Sequence, residues 1–218
     1  MRSPLIPPML TMLVEGALTV LDGAAFDSRD ACPACGGTLS GYDTKKRRFA
    51  CLITGAGTRT ITVSVKRFRC RSCGRLCNAD EPFYPKTRIG APVIDLCNAF
   101  SRTFGYGRAA RNLTAMGVAV DRMQCRHYMT IPAPKVPVMP VYGFPLPRSV
   151  LSLSQLTARF PEGAAVPGAE ALAASGFPSA YRAAPRVPAP GDKGDEGDEQ
   201  EGKEERDAGK PEQGTHQK

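Results

Sequence analysis

Cys32-Pro33-Ala34-Cys35-Gly36 and Cys70-Arg71-Ser72-Cys73-Gly74 share one pattern, Cys-x-x-Cys-Gly. Two intervening residues let both thiolates of a pair reach one metal ion from a tight turn. The trailing Gly allows a positive φ that aims backbone N–H groups at sulfur. Two such turns supply four sulfurs, the donor set of a tetrahedral structural Zn²⁺. With every ligand a protein thiolate, no coordination position remains for water or substrate, so the ion would staple the fold rather than catalyse. Arg69, Arg71 and Arg75 would offset the formal −2 of such a centre. A redox dithiol would want a βαβ context, which the flanking sequence lacks.

The remaining chemistry-bearing residues read more plainly. Cys51, Cys97 and Cys125 fall at core-like positions, and Cys77 is near enough to Cys73 to compete as a ligand. His127 lies beside Cys125 and Tyr128, but two residues apart on a helix point to different sides, so a cysteine–histidine nucleophile is not expected. The other histidine, His216, belongs to the acidic C-terminal stretch.

The elements that must hold these residues follow from periodicity. Leu10, Leu13, Val14, Leu18 and Leu21 recur at spacings of three and four, which predicts an amphipathic helix over 8–26. Two strands, 48–54 and 58–70, flank the turn Gly55-Ala56-Gly57, and a third surrounds Leu76. Within the second strand Ile61, Val63 and Val65 alternate with Thr60, Thr62, Ser64 and Lys66. From Pro92 to about Tyr128 the period becomes helical. Val93, Leu96, Cys97, Phe100 and Phe104 form one stripe, Gly117 ends a second helix, and Asp121 caps a third.

The fold class expected is a small α+β protein: an antiparallel zinc ribbon, a three-helix helix-turn-helix unit and a long disordered C-terminal tail. Its expected parts are an N-terminal helix (1–30), the ribbon (31–80), the helix-turn-helix (86–130), a mostly disordered Pro/Ala-rich linker (131–190) with one transient helix near Ala169 to Ala174, and an acidic tail (191–218). In a helix-turn-helix the second helix of the pair offers exposed residues to base edges. Those would be Arg122, Gln124, Arg126 and Tyr128, with Arg108 and Arg111 on the preceding helix contacting phosphates. Lys66, Arg67 and Arg69 extend the basic surface onto the ribbon.

Three segments together resemble the N-terminal region of bacterial and archaeal insertion-sequence transposases. They are Cys32-Pro-Ala-Cys-Gly-Gly37, Arg67-Phe-Arg-Cys-Arg-Ser-Cys-Gly-Arg75 and Phe83-Tyr84-Pro85. In that family a zinc ribbon is often followed by a helix-turn-helix, which Gly107-Arg-Ala-Ala-Arg-Asn-Leu113 and Arg126-His-Tyr128 resemble. The likeness covers roughly residues 30 to 130. It implies a DNA-binding role beside a separate ribonuclease-H-like domain with paired carboxylates. That domain has no counterpart here: after Asp121 the next acidic residue is Glu162, in Pro- and Ala-rich sequence. The resemblance therefore implies the DNA-binding half of a transposase, either a truncated copy or an accessory protein, and not an enzyme. Its partners would be double-stranded DNA and a second copy or a transposase. The alternative is a ribbon serving as a protein-interaction or RNA-associated adaptor.

Composition agrees with a polyanion partner. Residues 32–132 carry 17 Lys plus Arg against 5 Asp plus Glu, or +12, whereas residues 191–218 carry 5 against 10, or −5. The acidic stretch either keeps a basic protein soluble or competes with DNA for its basic face. With 20 Pro, 22 Gly and no Trp, small folded units with long connections are expected rather than one core. Glu15 and Asp22 interrupt the only N-terminal apolar stretch, so neither a signal peptide nor a membrane span is expected. The expected location is the cytoplasm, with reduced cysteines and no small-molecule substrate.

Overall fold

The computed structural model describes residues 6–133, 135–161 and 163–176. In chain order the elements are α1 (Pro8–Thr19), β1 (Ala25–Phe26), β2 (Leu39–Thr54), β3 (Gly57–Cys70), β4 (Leu76–Asn78), α2 (Ala91–Phe104), α3 (Tyr106–Ala115), α4 (Arg122–Met129), β5 (Val138–Val141), β6 (Phe144–Pro147), α5 (Arg148–Leu156) and α6 (Gly168–Ala174). This is a mixed α+β protein. Its main sheet is ordered β1-β3-β2, with β4 paired to β3. No helix among the described residues is long and apolar enough to cross a membrane.

The β2–β3 hairpin is the spine of the sheet. Its register runs from Leu39↔Cys70 at the metal end to Thr54↔Gly57 at the turn. Ile61, Val63 and Val65 are buried, as their alternation predicts. β2 starts at Leu39, nine residues before the predicted strand at 48, because residues 41–46 are all exposed. A two-sided polar strand shows no alternation, and only its pairing with β3 makes it one.

α2 is the central helix, packed on by α3, α4, α5 and β6. Its predicted stripe is buried except for the half-buried Phe104. The predicted N-terminal helix ends at Thr19 rather than 26, with Leu10, Val14, Ala17 and Leu18 buried, and α1 packs on α5. The expectation of separate small units is corrected here: one hydrophobic cluster runs from Leu10 through Phe49, Ile94 and Leu113 to Ala171. The scarcity of large apolar residues is met by small ones, including buried Ala17, Ala50, Ala91, Ala109 and Cys97.

The mostly disordered linker expected over 131–190 is likewise corrected for residues 135–161 and 163–176, which carry the β5–β6 hairpin and α5, while α6 falls where a helix near Ala169 to Ala174 is expected; residues 177–218, including the acidic stretch, lie outside the described residues. Six prolines over 131–147 are too many for a helix or a central strand, and β5 and β6 pair only with each other. The parity of the prolines lets that pair form. Tyr142 and Gly143 form a two-residue turn with φ of 50° and 79°, the positive pair that a type I′ turn requires. The closing pair Val141↔Phe144 is then hydrogen-bonded, and hydrogen-bonded and non-hydrogen-bonded pairs alternate outward. Pro140, Pro145 and Pro147 all fall in non-hydrogen-bonded pairs, where no N–H is needed. The next pair outward is bonded again: the Arg148 N–H donates to the Pro137 carbonyl at 2.8 Å.

A buried carboxyl ties this C-terminal region to the rest. Asp95 on α2 accepts hydrogen bonds from the Tyr84 hydroxyl at 2.5 Å and from Ser149 Oγ at 2.9 Å. Burial pushes its pKa up to about 6 from 3.8, against the opposing pull of those two donors. The folded state therefore favours the protonated form. The associated stability is complete below the unfolded pKa near 4 and is lost as pH rises through about 6, on the order of 3 kcal/mol. An Asp95→Asn substitution removes this titration. Urea unfolding should show the variant gaining on the native chain by about 2–3 kcal/mol between pH 4 and pH 8. A difference that stays constant with pH would contradict this assignment.

Candidate metal centre and basic surface

The two cysteine turns are built alike. In the first, the Cys32 N–H donates to the Gly37 carbonyl at 3.0 Å and the Gly36 N–H to the Cys32 carbonyl at 2.9 Å. In the second, the Cys70 N–H donates to the Arg75 carbonyl at 2.9 Å and the Gly74 N–H to the Cys70 carbonyl at 3.0 Å. Gly36 and Gly74 hold φ of 71° and 72°, which a side chain would strain. The Arg71 N–H bonds the Thr38 carbonyl at 2.9 Å, and Leu39 opposes Cys70, so the start of the β2–β3 ladder clamps the turns together.

The result is a four-sulfur cluster. The thiol sulfurs of Cys32, Cys35, Cys70 and Cys73 all lie within 4.8 Å of one another. Cys32 and Cys73 are 3.7 Å apart, and Cys35 and Cys70 are 3.5 Å apart. Sulfurs at ~2.3 Å from a common tetrahedral ion would be separated by roughly 3.8 Å, so these spacings fit a metal ion. All eight cysteines are free thiols. Packing leaves the cluster no slack: a Cβ on Gly37 would stand 2.4 Å from Ser72 Oγ and 3.1 Å from Cys70 Sγ.

Electrostatics agree with a site that wants a cation. The N–H of Cys73, with that of Ser72, pulls the Cys70 thiol down to about 6, and the N–H of Ala34 lowers Cys32. Cys35 receives the N–H of Gly37, yet the neighbouring Cys73 and Cys70 outweigh it and push the thiol up to about 12. Four sulfurs this close cannot all ionise without a positive charge among them. Cys77 lies outside the cluster, half-buried, with its thiol raised by burial. Cys51, expected in the core, is only half-buried on β2 opposite Thr60.

The helical residues singled out from sequence fall on two elements. On α3, Arg108 is half-buried and Arg111 exposed. Gly117 follows α3 with φ 83°, and its carbonyl accepts from the Ile53 N–H at 2.7 Å; the Ala119 N–H donates to the Cys51 carbonyl at 2.9 Å. The segment between α3 and α4 is thereby sewn to the end of β2. Asp121 caps α4 as expected, accepting from the Gln124 N–H at 2.7 Å while Gln124 Oε1 accepts from the Asp121 N–H at 2.9 Å. Cys125 faces the core, and Arg122, Gln124, Arg126 and His127 are exposed. Tyr128 is half-buried; burial pushes its hydroxyl up, Cys97 adds to this, and the Arg48 charge opposes it.

On the sheet the predicted cations are less available. Arg67 is held by Asp43, with Nε at 2.6 Å from Oδ1 and a second bond from Nη2, and its guanidinium lies 5.5 Å from the Tyr42 ring centre. Lys66 stands 5.5 Å over the Phe68 ring, and Arg69 is exposed. Sequence reasoning passed over Lys45-Lys46-Arg47-Arg48, which lines a groove with Lys86 and Arg88. Four consecutive cations are legible, but without strand periodicity they read as solvated surface. Comparison with protein-family models, curated proteins and solved structures finds no match to this chain.

Proposed function

We propose that this chain is a zinc-stapled DNA-binding protein of the kind found in the DNA-binding half of insertion-sequence transposases, acting by binding and not by catalysis. The observation that carries the reading is α4. It is capped at Asp121, anchored through the buried Cys125, and presents Arg122 and Arg126 to solvent. A short, rigidly anchored helix with exposed arginines suits insertion into a major groove, where Arg pairs bidentately with guanine. Gln124 is the weaker reader, because its carbonyl oxygen already serves the cap and pairing with adenine would need it back. Zinc is the ion that a closed set of four thiolates favours.

Several acidic groups are committed to holding the fold. Asp43, Asp80 and Glu81 sit in ion pairs with Arg67, Arg29 and Arg47, Asp121 caps a helix, and Asp95 is buried between two hydroxyls. Site selection on random duplexes, followed by anisotropy on the selected sequence, tests the reading. In the double variant Arg122→Ala, Arg126→Ala, the ratio of selected to scrambled duplex affinity should fall by about 10- to 100-fold per lost bidentate contact. A native chain that binds no duplex, or a variant with unchanged preference, would refute it.

A further inference from the structure

The groove between β2 and the 78–88 segment is separate from α4 in sequence and differs from it in chemistry. It encloses about 870 Å³. β2 is an edge strand, paired only with β3 in the main sheet. Lys45, Lys46 and Arg48 line one side and Lys86 and Arg88 the other. All five are exposed, and none joins a salt bridge among the described residues.

Asp43, paired with Arg67, also attracts Lys45, while Glu81 and Asp80 are committed to cations outside these five. Glu81 is taken by Arg47 and by the Asn78 amide at 2.8 Å, and Asp80 bonds Arg29 at 2.9 Å. Arg47 belongs to the floor: besides Glu81 it donates to the Thr87 carbonyl at 2.5 Å and lies 3.8 Å over the Phe83 ring. Lys86 holds φ of 62°, a conformation that costs a non-glycine residue about 1 kcal/mol or more. The turn Tyr84-Pro85-Lys86-Thr87 accounts for it, closed by the Thr87 N–H on the Tyr84 carbonyl at 3.1 Å, and it sets Lys86 at the mouth of the groove.

The ligand is anionic and repeating. At ~3.3 Å per residue, Lys45 to Arg48 span about 10 Å, enough to meet more than one phosphate of a single strand. The aromatic rings in the floor offer no stacking face: Phe83 is 5% exposed, beneath Arg47, and Tyr84 is 2% exposed. Bases are thus not what the groove reads. We infer that this groove is a phosphate track that holds the phosphodiester backbone of a nucleic-acid strand, without regard to sequence. The choice of partner rests on the DNA-binding reading above, but the residues are different ones.

The test is fluorescence anisotropy with the full chain, titrated against a duplex and against an oligo-dT of equal length at about 50 to 200 mM salt. The groove variant combines Lys45→Ala, Lys46→Ala, Lys86→Asn and Arg88→Ala; Asn tolerates the positive φ at 86. The control removes the same charge elsewhere, through Arg59→Ala, Arg102→Ala, Arg148→Ala and Arg159→Ala. In the groove variant the slope of log affinity against log salt should shrink by about 2 to 4, with at least a tenfold loss at low salt and an unchanged preference for the selected duplex. Loss in both arms identifies any phosphodiester strand as the ligand, and loss with the duplex alone identifies double-stranded DNA. An unchanged slope in the groove variant, or an equal drop in the control, overturns the track and leaves the α4 reading standing. A groove-dependent slope without α4-dependent preference upholds the track and sinks base readout. No binding to either probe overturns both.

Discussion

Replacing Cys70 by Ser is expected to lower bound metal from about one ion per chain to none and to open the metal end of the sheet. Cys70 stands at a junction: its N–H and carbonyl close the second turn, its sulfur lies 3.5 Å from that of Cys35, and Leu39 pairs with it across the ladder. Metal affinities of structural thiolate sites, on the order of 10 kcal/mol, rival the whole stability of a domain. Little else holds this end. Residues 71–76 are exposed, as are residues 41–46 of β2. Hydrogen exchange should show protection lost at residues 32–44 and 66–78, while Ile61 and Val63, buried in the common core, keep theirs. Chelator treatment of the native chain should reproduce the pattern. A Cys70→Ser protein that still carries a stoichiometric ion would exclude the four-sulfur centre.

The second large effect lies in the β5–β6 hairpin. Phe144→Ala should destabilise the protein by about 3–5 kcal/mol in urea unfolding. Phe144 is 3% exposed, and its ring centre lies 6.1 Å from that of Phe100 and 6.0 Å from that of Phe104. Truncation would leave a cavity against α2, the helix on which α3 and α4 rest. The same substitution in an unpacked linker would change stability by less than about 0.5 kcal/mol. That small result would show the β5–β6 hairpin to be no part of the folded core.

The sequence alone determined the features that depend on near neighbours. Two Cys-x-x-Cys-Gly turns, the alternation of Ile61, Val63 and Val65, the stop at Gly117 and the cap at Asp121 each rest on residues within a few positions of one another. Backbone sterics and periodicity read such features directly. The tertiary structure decided what depends on partners distant in sequence. Residues 41–46 become strand only through β3, and Asp95 becomes a buried acid only through Tyr84 and Ser149. The prolines of β5 and β6 were counted but not phased, since their harmlessness depends on which partner faces them. Lys45, Lys46 and Arg48 line one side of a groove because the 78–88 segment lies along β2, a closure that local sequence does not encode. Side-chain type and spacing carry short-range physics, whereas burial and electrostatic environment arise only when remote segments meet.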